Sequence, residues 1–186
     1  IDLRSNSGGS SSLAYDLAGY VFDEEIYLYE SSYYNNNSKQ FEPTGYPARV
    51  TPGPLLYEGP IAVLVGPDCV SACEGFADAL SRNDRAVVIG HYPTAGAFGE
   101  VGRGQYDMPG DISMQLPTGR PETADGELHI EGIGVIPDIL VPVTIESATG
   151  QVDAVLQAAI DTLLDRTQQL ARQIDGYIYG KDENGG

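Results

Sequence analysis

Two unbroken apolar runs and two helical stripes dominate the pattern of hydrophobic positions along the chain. Residues 61–65 (IAVLV) and 86–90 (AVVIG) are short continuous apolar runs of the kind that fully buried strands show. Between them, apolar residues at 72, 76, 79 and 80 predict a helix over 72–80, and a similar stripe predicts a helix over 11–21. The alternation of strands and helices predicts an α/β fold in which right-handed crossovers pack helices on a sheet.

The remaining segments have weaker patterns. Alternation of side chains between two faces predicts a strand at 25–29. The polar stretch 30–60, which is rich in Tyr, Asn, Pro and Gly, predicts a long surface loop. A further apolar stripe predicts a helix from about 151 towards 174. The other predicted segments are extended or polar: the end of a strand at 1–4, hairpin strands at 98–101 and 112–116, further hairpin material at 127–131, an extended edge at 139–144, and a tail at 176–186 after a core domain of 1–175.

Composition limits the classes of protein that fit. The 186 residues are 41% hydrophobic and 20% charged, as in a globular domain with a substantial core. No apolar run approaches the roughly 20 residues of a membrane span. The net charge of −17 argues against nucleic acid or an anionic membrane as a partner, and is more consistent with an extracytoplasmic setting. Because the first residue is Ile rather than Met and opens on a strand, we expect the chain to be the downstream part of a larger protein.

The point at which the first buried strand gives way to its helix carries a serine. Ser71 therefore lies beside the free backbone N–H groups of a helix N-terminus, which can hold a developing oxyanion. Serine is also a favoured helix N-cap, so the residue is either a nucleophile or a cap. The Gly8–Gly9 pair, between the first strand and helix, is likewise either a simple tight turn or a place where backbone approaches a ligand.

Four sequence blocks resemble, in the same order, those of the C-terminal processing (tail-specific) peptidases and their tricorn-like relatives. Residues 71–80 (SACEGFADAL) are similar to S-A-S-E…F-A-x-A-L, and residues 2–9 (DLRSNSGG) to D-L-R-x-N-x-G-G. Residues 85–96 resemble R-A-x-V-V-G-x-P-T-x-G, and residues 132–139 resemble G-V-x-P-D-I. The resemblance covers about residues 1–145. It implies a crotonase-like core of stacked β-β-α units, within the C-terminal part of a larger peptidase.

The resemblance also implies roles for particular residues. It makes Ser71 the nucleophile of a serine endopeptidase, and it assigns the oxyanion donors to the Gly8–Gly9 pair, through Gly9, and to the N–H of Ala72. The family's lysine base has no counterpart here, because Ala97 occupies its position and the two lysines, Lys39 and Lys181, lie in polar segments.

The tricorn-like branch uses a Ser–His–Glu arrangement instead, and Glu131 matches its acid. Its histidine precedes the D-L-R block, so we expect an upstream part of the same protein to supply the base. We also expect the 186-residue chain alone to have little or no peptidase activity.

Other residues leave alternatives open. His91, after the strand at 86–90, is a possible alternative base, and His129 is a weaker one. Cys69 and Cys73 flank Ser71 and either form a disulfide or are two small buried thiols. Arg4 and Asp138 fit backbone turns and ion pairs better than chemistry.

We therefore predict a serine endopeptidase acting on protein or peptide substrates, with no metal or organic cofactor, and with homo-oligomerisation as a possibility. Two alternatives remain: a peptidase fold that has lost catalysis and binds peptides, and a serine esterase with the same nucleophile.

Overall fold

The two buried strands and the helices beside them follow one another in the order that the hydrophobic pattern predicts. The computed structural model describes residues 1–102 and 104–179. In that part the helices and strands are α1 (Ser11–Ala18), β1 (Ile26–Asn35), β2 (Gln40–Pro43), β3 (Ala48–Val50), β4 (Ile61–Val65), α2 (Ala72–Ser81), β5 (Ala86–Gly90), β6 (Gln105–Met108), β7 (Ile112–Gln115), β8 (Gly119–Glu122), β9 (Ile139–Leu140), α3 (Ile145–Ala148) and α4 (Ala154–Tyr179). Short 3-10 turns, Gly19–Val21 and Arg82–Asp84, extend α1 and α2.

A parallel sheet in the order β4-β5-β9 forms the middle layer. Residues 1–3 extend it beyond β4 through the parallel bridge of Asp2 to Leu64. All five residues of β4 and of β5 are buried, because both faces of the sheet are covered. Ile61, Val63 and Val65 pack in the cluster that contains α1, α2 and β1, whereas Ala62 and Leu64 pack with Val155 and Ala159 of α4. This covering explains why the two strands are continuous apolar runs.

A second, antiparallel sheet lies around β1. The first half of β1 pairs with β3, its second half pairs with β2, and β8 pairs with its middle residues. The β6–β7 hairpin is separate from both sheets, and all eight of its strand residues are exposed.

The structure confirms the predicted mixed α/β class, both buried strands and the helices over 11–21 and 72–80. The predicted loop over 30–60 is wrong in part. Strand β1 continues to Asn35, and β2 and β3 also lie within it. The reason is that antiparallel pairing tolerates polar residues: Ser32 is fully buried within β1 and donates to Glu122 of β8.

Two predicted boundaries also differ. The first strand of the predicted hairpin lies at Gln105–Met108 rather than at 98–101, where Glu100 makes a single bridge to Gly119. Helix α4 continues to Tyr179, so the predicted start of the tail at 176 falls inside it, and residues 180–186 lie outside the described part. Among the described helices, none is both long and apolar enough to cross a membrane.

Candidate active site

Ser71 occupies a sharp turn between β4 and α2. The residue is exposed, although its neighbours on the helix side, Ala72 and Cys73, are buried. Its backbone lies at φ 59° and ψ −123°, whereas an ordinary N-cap residue has extended dihedral angles. A non-glycine residue in such a region costs about 1–3 kcal/mol, so the surrounding contacts must hold it there. Ser71 is thus both the N-cap position of α2 and an exposed hydroxyl on a constrained turn.

The carboxylate of Glu74 holds this turn from inside. Its side chain is fully buried and accepts hydrogen bonds from the Ser71 N–H (3.1 Å), the Thr94 hydroxyl (2.6 Å), the Gly96 N–H (2.6 Å) and the Ala97 N–H (2.9 Å). The sequence analysis missed this role. The signal was available, because Ser71-x-x-Glu74 is the pattern of a capping box.

Ala97, the position at which the resemblance predicts a lysine, lies close to Ser71. The backbone nitrogens of Ser71 and Ala97 both donate to Glu74 Oε1, at 3.1 and 2.9 Å, and so are at most about 6 Å apart. Ala97 is exposed. A longer side chain at this position would therefore start beside the serine, but the methyl group of alanine offers no base.

Glu131 is hydrogen-bonded to the segment that contains Ala97. Its carboxylate accepts the N–H of Phe98, the residue after Ala97. Three hydrogen bonds and one peptide unit therefore connect Ser71 to Glu131, through Glu74, Ala97 and Phe98. Glu131 is half-buried and lines a cavity of about 500 Å³ that also contains Tyr34, Pro117 and Leu128.

The two predicted glycines have different contacts. A Cβ on Gly8 would lie 2.6 Å from the Val70 carbonyl oxygen and 3.0 Å from Ser71 Cβ, so only glycine fits against the serine turn. The N–H of Gly8 donates to Asn6 Oδ1 at 2.9 Å. Gly9 has open space around its Cα, at φ 150°. Gly8 therefore provides the close approach to the serine turn.

An apolar cavity of about 180 Å³ adjoins the glycines and Ala72. Gly8, Gly9 and Ala72 are among the residues that line it. Its other walls are mostly apolar side chains: Leu3, Leu13, Ala14, Leu17, Cys73 and Phe76. Ser71 is not among the residues that line this cavity or the cavity of Glu131.

Both histidines of the chain have other partners. His91 Nδ1 lies 2.8 Å from the Val141 carbonyl oxygen. The side chain of His129 is 6% exposed, with Nε2 3.2 Å from Asp78 Oδ2 and its ring stacked on Tyr29. Asp78 is two turns along α2 from Ser71, or roughly 10 Å at 1.5 Å per residue. In the described residues, neither ring is hydrogen-bonded to the serine.

The remaining predicted residues support the fold around the site. Cys69 and Cys73 form a disulfide with their Cα atoms 5.4 Å apart, which decides between the two alternatives left open above. Asp138 accepts the Val88 N–H at 2.8 Å. Arg4 binds Asp2 and Asp153, each at 2.7 Å, and these hydrogen bonds lower the pKa of both carboxyls.

Comparison with known proteins identifies the family. Residues 1–141 match the family model of Peptidase family S41. The carboxyl-terminal-processing protease of Picosynechococcus sp. is 30% identical over 178 residues, which are 92% of this chain and 39% of that protein.

Two solved structures resemble the fold. A putative peptidase from Parabacteroides merdae has a TM-score of 0.72 at 24% identity, covering 88% of this chain and 50% of that one. Mature CPAF complexed with lactacystin has a TM-score of 0.68 at 21% identity, covering 93% and 43%.

The sheet, the serine turn and these neighbours define an α/β peptidase fold. The chain belongs to Peptidase family S41, which confirms the resemblance to C-terminal processing peptidases. It spans about two fifths of the length of that curated relative. Membership of the tricorn-like branch stays a prediction.

Proposed function

We propose that this chain carries the nucleophile and the oxyanion site of a serine endopeptidase. The observation that carries the proposal is the exposed Ser71 on a constrained strand-to-helix turn that packs against Gly8. The proposed donors are the N–H groups of Ala72 and Gly9, residues that line one cavity next to this turn. Ser71 attacks the carbonyl carbon of a peptide bond, and the two N–H groups stabilise the negative charge that develops on the carbonyl oxygen. In the described residues, no protein acceptor takes either N–H.

The proton of Ser71 requires a base, and we propose a histidine outside these 186 residues. His91 and His129 are engaged with Val141 and Asp78, and Lys39 lies in the turn between β1 and β2. Glu131 orients the histidine, because a carboxylate that accepts its N–H fixes the tautomer and stabilises the imidazolium. The upstream part of the same protein is therefore the partner that completes the site.

The substrate class follows from the apolar cavity beside the donors. A cavity of about 180 Å³ lined by leucines and Phe76 admits an aliphatic or small aromatic side chain. We propose that it receives the residue adjoining the scissile bond of a protein or peptide. The disulfide supports an extracytoplasmic location, because such bonds persist in oxidising compartments.

A single observation favours a second function, that of a peptide-binding module without catalysis. Ala97 is exposed at the place where C-terminal processing peptidases carry their lysine, and it lies beside the serine. Retention of the strained Ser71, which costs stability in a mere binding module, favours the enzyme instead.

Fluorophosphonate labelling of the full-length protein tests the proposal. We expect covalent labelling of Ser71 that the Ser71→Ala substitution abolishes, followed by cleavage of apolar peptides in preference to simple esters. The matched control is Ser81→Ala, which removes another helix serine far from the turn. Absence of labelling in the wild type would leave the binding module, and preferential ester hydrolysis would point to the esterase. Ser71-dependent cleavage by the 186-residue chain alone would contradict the external base and favour His91.

A further inference from the structure

The Cys69–Cys73 disulfide encloses Val70, Ser71 and Ala72. The covalent ring therefore contains the proposed nucleophile and one of the two proposed oxyanion donors. It joins the end of the turn that follows β4 to the second residue of α2.

Both ends of the ring are anchored while its centre is exposed. Cys69 is fully buried, its N–H donates to the Gly66 carbonyl at 3.0 Å, and its own carbonyl accepts the Ala95 N–H at 3.0 Å. Cys73 is 3% exposed, and its sulfur lies 3.5 Å from the Leu3 carbonyl oxygen. The exposed Ser71 thus sits on a short loop with two fixed ends.

This arrangement suits the backbone conformation of Ser71. A residue other than glycine rarely adopts φ 59° with ψ −123°, so a freely relaxing turn would leave that region. The five residues of the ring, Cys69 to Cys73, have few other conformations available once both ends are fixed. Cys73 also forms one wall of the apolar cavity, so the disulfide links the position of the serine to the shape of the substrate site.

We propose that the disulfide is a positioning element for Ser71, and that reductive opening of the bond lowers turnover without unfolding the protein. The inference rests on the proposed function, whose serine it positions. On this proposal, the hydrogen bond from Ser71 to Glu74 does not by itself hold the turn well enough for full activity.

The opening reaction consumes a dithiol. One thiolate of the reductant attacks the sulfur of Cys73, the S–S bond breaks, and Cys69 leaves as a thiolate that takes up a proton. The second thiolate of the reductant then attacks the mixed disulfide and releases Cys73 as a thiol. The protein gains two electrons and two protons, and the dithiol becomes a cyclic disulfide. Burial of both sulfurs makes this opening slow in the absence of excess reductant.

The loss should appear in kcat more than in KM. The Ser71 hydroxyl and the Ala72 N–H act on the transition state, and interactions made only there change kcat. Misplacement of reacting groups by about 1 Å costs up to about 100-fold, so we expect the reduced protein to acylate about 10- to 100-fold more slowly.

The experiment compares oxidised and dithiothreitol-reduced full-length protein in fluorophosphonate labelling rate and in peptide kcat and KM. The double variant Cys69→Ser/Cys73→Ser provides an open form if the buried bond resists the reagent. We expect this variant to be as slow as the reduced wild type and indifferent to dithiothreitol. Near-ultraviolet circular dichroism verifies that all forms remain folded. Equal labelling rates in the closed and open forms overturn the proposal.

Amide hydrogen exchange of a peptide covering 66–76 separates this inference from the proposed function. Faster exchange in the open form, with slower labelling, supports both. If neither form labels, the hydrolase proposal fails, and faster exchange in the open form still supports a disulfide that constrains the turn. Unchanged exchange overturns the positioning role whatever the labelling shows.

Discussion

Glu74 and Glu131 both accept backbone N–H groups from the segment 94–98, but they do so in different surroundings. Glu74 is fully buried and accepts four hydrogen bonds, three of them from backbone N–H groups. Glu131 is half-buried beside a cavity, and in the part of the chain described it accepts one, from Phe98.

The difference lies in the acceptor capacity that remains. An ionised carboxylate has about four lone-pair sites. Those of Glu74 are occupied, so it has none to offer a catalytic partner, and its role is to hold Ser71 against residues 94–97. Glu131 keeps free sites facing open space, which an acid that orients a histidine needs. Glu74 therefore has a structural role, whereas Glu131 keeps the acceptor capacity that its proposed role requires.

The largest effect in this comparison is expected from Glu74→Ala. The substitution leaves the buried donors of Thr94 and Gly96 without an acceptor, and each such group costs about 1–3 kcal/mol. We expect the free energy of unfolding to fall by about 3–5 kcal/mol, measured by urea denaturation of the full-length protein. Asp68→Ala, at an exposed carboxylate in the same turn, is the control and should change it by less than about 0.5 kcal/mol. A loss below about 1 kcal/mol for Glu74→Ala would contradict the structural role.

Glu131→Gln should separate activity from stability. The amide oxygen still accepts the Phe98 N–H, but the negative charge that stabilises an imidazolium is lost. We expect acylation of Ser71 to slow about 100-fold, equivalent to about 3 kcal/mol, while the free energy of unfolding changes by less than about 1 kcal/mol. The measurement is the fluorophosphonate labelling rate, with Glu127→Gln, an exposed carboxylate nearby, as control. Labelling at the wild-type rate would remove Glu131 from the proposed mechanism.

The parts of the fold that the sequence predicts well are those in which local pattern and burial agree. Strands β4 and β5 are apolar throughout because the sheet is covered on both faces, so their bounds follow from the residues themselves. The second half of β1 escaped prediction because its residues are mostly polar and because one of its two partner strands, β8, lies far along the chain. Ser31 donates to Glu100, and Ser32 donates to Glu122. No local pattern shows such pairs.

The residues of the candidate site also fall into two groups, those that a local motif predicts and those that contacts between distant segments bring together. The serine turn and the Gly8–Gly9 pair are local motifs, so their positions were predicted from short stretches. The bonds from Thr94, Gly96 and Ala97 to Glu74 span 20 to 23 residues, and the pair of His129 with Asp78 spans 51. Such contacts depend on how the sheet and α2 are placed in space, which single-sequence patterns do not specify.

Asp2 and Asp153 form a third set of carboxylates, which we expect to contribute less to stability than Glu74. Both bind the guanidinium of Arg4 at 2.7 Å, but their side chains are 53% and 40% exposed. The hydrogen bonds to Arg4 lower the pKa of both carboxyls below the ordinary value of 3.8, so the folded state favours their ionised forms. Their contribution to stability is therefore present above about pH 4 and is lost as the pH falls through the lowered pKa values.

Because these groups are exposed, we expect the contribution to be less than about 1 kcal/mol. The Arg4→Met variant should be less stable than the wild type by that amount at pH 7, and the gap should narrow as the pH falls below 4. Urea denaturation of both proteins across this range, at low and at high salt, measures the gap, which salt should also reduce. A gap that stays constant from pH 7 to below 4 would show that Arg4 contributes through packing rather than charge. Exposed carboxylates would then contribute nothing measurable, which would widen the contrast with Glu74.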